Sequence, residues 1–198
     1  MRCLIVLAHP VPGSLCHHLA AQAQQHLRQA GHQVEVLDLY AQGFDPVLSA
    51  QERRAYYAKG EPPVPDSMQQ ALLQAEGLVL CFPTWWFGFP AILKGWFDRV
   101  WSPGVAFDHA DDLGPIRARL TNLRHVLAMT TLGSAAWVDL LVMRQPVRRV
   151  LRGALLGACA PKAKLDFLSL HRSETATQQR VASFEAKIGA RLAQWPRD

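Results

Sequence analysis

The chain lacks three motifs by which common nucleotide-using and hydrolytic enzymes are recognised. No G-x-G-x-x-G follows its first apolar run, which argues against a dinucleotide-binding Rossmann unit. No G-x-x-x-x-G-K-S/T is present, which disfavours a P-loop NTPase, and the absence of a G-x-S-x-G elbow argues against an α/β-hydrolase. The chemistry of this protein therefore has to be sought in other loops.

Cysteine pairs and long apolar runs are also missing. The four cysteines, Cys3, Cys16, Cys81 and Cys159, form no C-x-x-C pair and have no zinc-site spacing. The sequence shows neither a secretory signal nor an apolar segment of membrane-spanning length. We expect a cytoplasmic protein without a transmembrane segment, while attachment to a peripheral membrane partner stays open.

Charge is mildly positive and evenly spread. The formal net charge is +5, with no basic run of the kind found in nucleic-acid-binding tails, so we expect no nucleic-acid partner. The excess serves solubility or forms a positive rim that attracts an anionic cofactor. His109, Asp111 and Asp112 suggest a metal site, but adjacent acids in a loop are more often solvated, and we expect no metal.

Apolar runs alternate with amphipathic segments along all 198 residues, which predicts a single domain, 1–198. The predicted strands are 3–8, 33–39, 78–82, 126–131 and 163–170. The predicted helices are 14–30, 66–75, 90–101, 137–156 (interrupted near Pro146) and 174–195, with irregular segments at 41–65 and 103–114. This alternation predicts an α/β fold, a flavodoxin-like doubly wound five-stranded parallel sheet of order 2-1-3-4-5 with helices on both faces.

An aromatic loop follows the third strand. Trp85, Trp86, Phe87 and Phe89 come directly after the apolar run that ends at Phe82. Ligands of open α/β sheets bind beyond the carboxyl ends of the strands, and exposed aromatics there are unfavourable unless something flat and apolar covers them. The loop therefore predicts a flavin ring.

Two further loops are expected at the same edge. The loop from His9 enters a helix for which Ser14 is a good N-cap and Gly31 a good stop, and free N–H groups at such a helix start can hold a phosphate. Thr130-Thr131-Leu132-Gly133-Ser134 ends the fourth strand and offers N–H groups to a ligand edge. An ordinary capped helix and a plain turn are the alternatives.

The chain resembles the flavodoxin-like NAD(P)H:quinone oxidoreductases, which include DT-diaphorase, the drug-activity modulators and the potassium-efflux ancillary flavoproteins. The resemblance runs from Ile5 to the terminal helix. Its most specific part is Phe82-Pro83-Thr84-Trp85-Trp86-Phe87-Gly88-Phe89-Pro90-Ala91-Ile92-Leu93-Lys94-Gly95-Trp96-Phe97-Asp98-Arg99-Val100. Weaker matches are His9 with Ser14-Leu15, Asp38-Leu39-Tyr40, Phe44-Asp45-Pro46, and Thr130-Thr131 with Gly133.

The resemblance implies a set of cofactor-binding residues. The phosphate-bearing tail would meet His9, Ser14, Leu15 and Cys16; the ring would be lined by Pro83, Thr84, Trp85, Trp86 and Phe87; and its N1 and O2 edge would be held by Thr130, Thr131, Leu132 and Gly133. The N–H groups near Trp86 and Phe87 would face the N5 and O4 edge. Phe107 falls near an aromatic that closes the pocket in the family, often from the partner subunit.

Two departures from the family pattern concern the catalytic residues. After the paired threonines the family has Gly-Gly, a tyrosine and a histidine, whereas this chain has no histidine in that stretch and carries Arg144 there. Phe107 also stands where related chains have a tyrosine. The expected catalytic set is Trp86, Phe87, Phe107 and Arg144, with Arg144 a guess for the group that balances charge on the reduced flavin.

The resemblance implies hydride transfer from NAD(P)H to a quinone or similar acceptor by a shared-site (ping-pong) mechanism in a homodimer. FAD is favoured because the His9–Ser14 loop matches diphosphate-binding members, and FMN is the alternative. One rival function is a flavin-binding ancillary subunit of a membrane transporter with little turnover. A second rival, a flavodoxin-type carrier, is disfavoured because its T-x-T-G-x-T loop and acidic composition are absent.

Overall fold

A five-stranded parallel sheet forms the centre of the computed structural model, which describes residues 1–57, 66–109 and 114–196. Its strands are β1 (Arg2–Leu7), β2 (Gln33–Asp38), β3 (Gly77–Pro83), β6 (His125–Leu132) and β7 (Lys164–His171), in the order β2-β1-β3-β6-β7. β4 (Phe107–Asp108) and β5 (Arg117–Ala118) form a separate antiparallel pair. The predicted fold and strand order are confirmed.

Helices cover both faces of the sheet because its central strands are apolar on both sides. On one face, α1 (Leu15–Gln29) and α7 (Gln178–Leu192) pack over Ile5, Val79 and Leu127. On the other face, α3 (Ser67–Gln74), α4 (Ala91–Val100) and residues 147–159 pack over Leu4, Leu80 and Ala128. Two apolar cores thus hold the sheet rigid and fix the loops at its ends.

The segment after β6 is helical but broken, as predicted. A π-helical turn, Val138–Val142, is followed by α5 (Pro146–Arg149), a second π-helical stretch (Val150–Leu156) and α6 (Gly157–Cys159). Arg144 and Gln145 between them have left-handed backbones, with φ of 55° and 48°. The break occurs here because a residue before proline is disfavoured in the helical region.

Two segments predicted to be irregular contain regular structure. Within 41–65, α2 (Ala50–Ala55) forms because Ser49 and Glu52 make a reciprocal capping box, which the nearby prolines obscured. Within 103–114, β4 forms because β5 pairs with it, a contact that local sequence does not specify. The helix predicted from Glu174 begins only at Gln178, where the Thr177 side chain caps it, and Ser173–Thr175 is a short 3₁₀ turn.

Among the residues with assigned structure, no helix combines the length and the apolar character that crossing a bilayer requires.

Candidate functional site

The ends of β1, β3 and β6 lie side by side at the carboxyl edge of the sheet. Pro83 pairs in register with Thr131, and the Thr84 N–H donates to the Thr131 carbonyl at 2.8 Å. The Thr84 and Thr130 hydroxyls are 2.6 Å apart. Pro83, Thr130 and Thr131 are buried, so they fix the two loops and leave the residues after them to meet a ligand.

The aromatic loop has a strained backbone. Trp86 and Phe87 have φ of 50° and 55°, a conformation that costs roughly 1–2 kcal/mol per residue without glycine. Two hydrogen bonds between the backbones of Trp85 and Gly88, at 2.9 and 3.3 Å, close the turn. Trp86 is nevertheless 100% exposed and Trp85 44% exposed. Strain that holds unpacked aromatic rings in solvent is typical of a ligand-binding loop.

These loops enclose a pocket of about 500 Å³, within the range of small-ligand and cofactor sites. It is lined by Thr84, Trp85, Trp86, Phe87, Leu132, Gly133, Ser134 and Glu174. The Ser134 hydroxyl is buried without a hydrogen-bond partner among the described residues, so a polar ligand edge would satisfy it. Of the predicted site residues, Trp86, Phe87, Leu132 and Gly133 thus line one pocket.

The β1–α1 loop reaches the aromatic loop through His9, whose ring centre is 6.3 Å from that of Trp85. Burial, with a smaller effect from the nearby His17 ring, holds the pKa of His9 below its usual value. The Val11 N–H donates to His9 Nδ1 at 3.1 Å. Ser14 stands at the N-cap of α1, but the predicted side-chain cap is not made, because its hydroxyl bonds to His17 Nδ1 at 2.8 Å.

Among the predicted site residues that do not line the pocket of the aromatic loop are Cys16, Phe107 and Arg144. The Cys16 side chain is buried, with its Sγ 3.6 Å from the Thr131 hydroxyl, and its carbonyl accepts from the Cys81 thiol at 3.1 Å. Phe107 lines a different, apolar pocket of about 220 Å³ beside Tyr56 and Trp101. Arg144 is exposed and does not line the pocket of the aromatic loop. Asp111 and Asp112, considered for a metal, lie outside the described residues.

Sequence reasoning missed the contacts that β7 supplies. His171 Nε2 is 3.0 Å from Oδ2 of the buried Asp139, and the Arg172 N–H donates to the Ser134 carbonyl at 3.1 Å. Glu174 lies close to Gly133, where an added Cβ would come within 3.1 Å of its carboxylate. The signal for these residues in the sequence was their position at or just after the end of the last strand, because that end lies at the same carboxyl edge of the sheet as the pocket.

The family follows from a match to the model of the flavodoxin-like fold over residues 1–160. The chain belongs to this family. It is also 35% identical over 158 residues to NAD(P)H dehydrogenase (quinone) 1 of Cavia porcellus, an alignment that covers 70% of this chain and 56% of that protein. The chain thus spans little more than half the length of this curated relative.

Two solved structures match this chain over almost their whole length. Smu.1420 from Streptococcus mutans UA159 superposes with a TM-score of 0.83 and 28% identity, over 98% of this chain and 100% of that one. An NAD(P)H:quinone oxidoreductase from Methanothermobacter marburgensis gives a TM-score of 0.81 and 25% identity, over 100% and 98%. The sequence-based resemblance to the NAD(P)H:quinone oxidoreductases is confirmed as a family relationship.

Proposed function

We propose that this chain binds a flavin at the carboxyl edge of the sheet and acts as an NAD(P)H dehydrogenase of the quinone-reducing type. The observation that carries the proposal is the strained loop that holds Trp85 and Trp86 in solvent beside a pocket of about 500 Å³. The activities named for the relatives from Cavia porcellus and Methanothermobacter marburgensis support it.

The residues present fit both parts of a flavin. The ring would lie against Trp85, Trp86 and Phe87, and its polar edge would meet the backbone at Gly133 and the unpartnered Ser134 hydroxyl. The phosphate-bearing tail would meet Ser14 and the first turn of α1, a helix start whose side-chain cap is missing. We favour FAD over FMN because of the resemblance of this loop to diphosphate-binding members.

A bound flavin supplies the redox chemistry, accepting a hydride from NAD(P)H and delivering it to a quinone. The chain's own residues provide position and a preorganised polar environment. Thr84 and Thr130 hold the two loops together, and the aromatic side chains would exclude water from one side of the pocket once a ring lies against them. Because one pocket serves both substrates in this proposal, the NAD(P)+ formed by hydride transfer must leave before the acceptor enters.

A homodimer would complete the site. Beside the pocket, the segment after Gly133 exposes a run of large apolar side chains: Trp137, Leu140, Leu141, Val142 and Met143. Phe107 lines an apolar pocket of its own, separate from that of the aromatic loop. Each chain thus has two separate parts of a site, the aromatic loop and the pocket of Phe107. In the proposed dimer, a second copy covers the exposed run and brings its Phe107 to the aromatic loop of the first.

Steady-state kinetics test the proposed reaction. NAD(P)H oxidation is followed at several fixed concentrations of a soluble quinone, and we expect parallel lines in double-reciprocal plots because the substrates alternate at one site. Intersecting lines would contradict the shared site. A flavin-loaded protein without turnover would overturn the enzyme assignment and favour the ancillary-subunit function.

A further inference from the structure

A chain of three polar side chains links the start of α1 to the end of β2. The Ser14 hydroxyl is 2.8 Å from His17 Nδ1, and His17 Nε2 is 3.2 Å from Asp38 Oδ2. The other Asp38 oxygen accepts from the Tyr40 and Ala41 N–H groups, both at 3.1 Å. We call this set the Ser14–His17–Asp38 relay. All three of its side chains are partly shielded from solvent.

Asp38 determines which nitrogen of His17 carries a proton. A carboxylate only accepts hydrogen bonds, so Nε2 must be protonated to bond to it. In neutral His17, Nδ1 is then an acceptor, and it takes the only hydrogen of the Ser14 hydroxyl. The Ser14 hydroxyl then has no hydrogen left to donate to a phosphate oxygen, and its lone pairs would repel one.

A second proton on His17 reverses this arrangement. Nδ1–H then donates to the Ser14 oxygen, and the Ser14 hydrogen becomes available to a phosphate. The Asp38 carboxylate is hydrogen-bonded to the resulting imidazolium ion and faces its charge at the start of α1, where the helix dipole favours an anion and opposes a cation.

Among the described residues around the start of α1, His17 is the best placed to carry a positive charge. The loop from His9 to Ser14 contains no lysine or arginine. His9, 6.2 Å from the His17 ring between centres, has a lowered pKa, chiefly through burial, and so favours the neutral form. The neighbouring His18 is directed elsewhere, to Glu185 of α7 at 2.6 Å. The charged group facing His17 is therefore the Asp38 carboxylate.

We propose that the Ser14–His17–Asp38 relay holds the phosphate of the flavin with His17 protonated, so that binding takes up a proton. This inference rests on the proposed flavin site. His17 acts as a positioning residue, because it touches the ligand only through Ser14. Since protonation favours binding, affinity falls as the pH rises, by at most tenfold per pH unit for one linked proton.

Calorimetric titration of the flavin-free full-length protein tests the proposal. FAD and FMN are titrated at pH 7 to 8.5 in two buffers of different ionisation enthalpy, so that the heats report proton uptake. This range lies above the second ionisation of the FMN phosphate, near pH 6. We expect uptake of up to one proton and an affinity that weakens with pH. Riboflavin, which has no phosphate, should bind without uptake.

Variants separate failure of the relay from failure of the flavin site. His17→Gln should abolish the uptake and the pH dependence while still binding flavin, whereas the control His18→Gln should retain both. Flavin binding by the wild type without proton uptake, or with uptake that persists in His17→Gln, would overturn the relay alone. No binding of any flavin at any pH would overturn the proposed function as well.

Discussion

At the residue scale, Trp86 and Phe87 show how the site is built against local preference. Both have left-handed backbones that glycine would adopt without strain, and Trp86 packs against nothing that shields it from solvent. A fully exposed ring contributes no burial free energy to the fold. The proposed flavin would account for this strained, exposed position by covering the ring.

Replacing Trp86 by glycine should therefore separate stability from binding. In the flavin-free protein, Trp86→Gly should raise the free energy of unfolding by about 1 kcal/mol, because it relieves the left-handed strain. Flavin affinity should fall at least tenfold, because a wall of the pocket is lost. Urea unfolding and fluorescence titration measure the two effects.

Trp86→Ala is the matched control, since it removes the ring and keeps the strain. It should lose affinity to the same extent without the gain in stability. A loss of stability in Trp86→Gly would show that the indole packs within the chain, and the ligand-binding interpretation of the loop would be wrong.

At the scale of elements, α4 fixes the aromatic loop by packing closely against the segment that follows β2. Gly95 of α4 lies against Pro46, where a Cβ would overlap the Pro46 backbone. Arg99 of the same helix bonds to Glu52 of α2 at 2.8 Å and to the Asp45 carbonyl. These contacts fix the position of α4, and therefore also the end of the aromatic loop that leads into it at Pro90.

Two glycine substitutions test this close approach. Gly95→Ala should lower the free energy of unfolding by about 1–3 kcal/mol through overpacking, although alanine favours helices. Gly153→Ala, in a helical stretch with open space around it, should raise it by about 0.5–1 kcal/mol. Thermal or urea unfolding measures both. Equal effects of the two substitutions would contradict the close packing of α4 on Pro46.

The features predicted from the sequence are those that local patterns encode. Apolar runs predicted the strands, and the count of five alternating with helices predicted the flavodoxin-like order, which is confirmed. The aromatics after Phe82 predicted a ligand site at the edge of the sheet where a pocket lies. The features that were missed depend on partners distant in sequence: Ser14 turns from its helix because Asp38 orients His17, and Glu174 lines the pocket because β7 ends beside β6. Long-range pairing of this kind is set by the assembled sheet.

At the scale of the whole molecule, the segment after Gly133 forms an exposed apolar surface. Leu141 is 73% exposed, in a run that also includes Trp137 and Val142. Buried contacts anchor this segment from within, since Asp139 pairs with His171 at 3.0 Å. A firmly held segment that presents large apolar side chains outward is typical of a subunit interface.

A charge placed in this run should separate the subunits. Leu141→Glu should give a folded monomer, with an unchanged circular dichroism spectrum and at least tenfold lower quinone turnover, because Phe107 of the second copy is lost from the site. Ala186→Glu, on the exposed side of α7 across the sheet, should change neither property. Light scattering and steady-state assays provide the readouts. A fully active wild-type monomer would contradict the dimeric site.

The presence of a flavin is the central claim, and the absorbance spectrum of the freshly purified protein tests it most directly. We predict flavin bands, and chromatography of the heat-released cofactor should identify it as FAD. A colourless protein that takes up neither FAD nor FMN on reconstitution would contradict the account, because the exposed aromatic loop would then have no ligand to cover it.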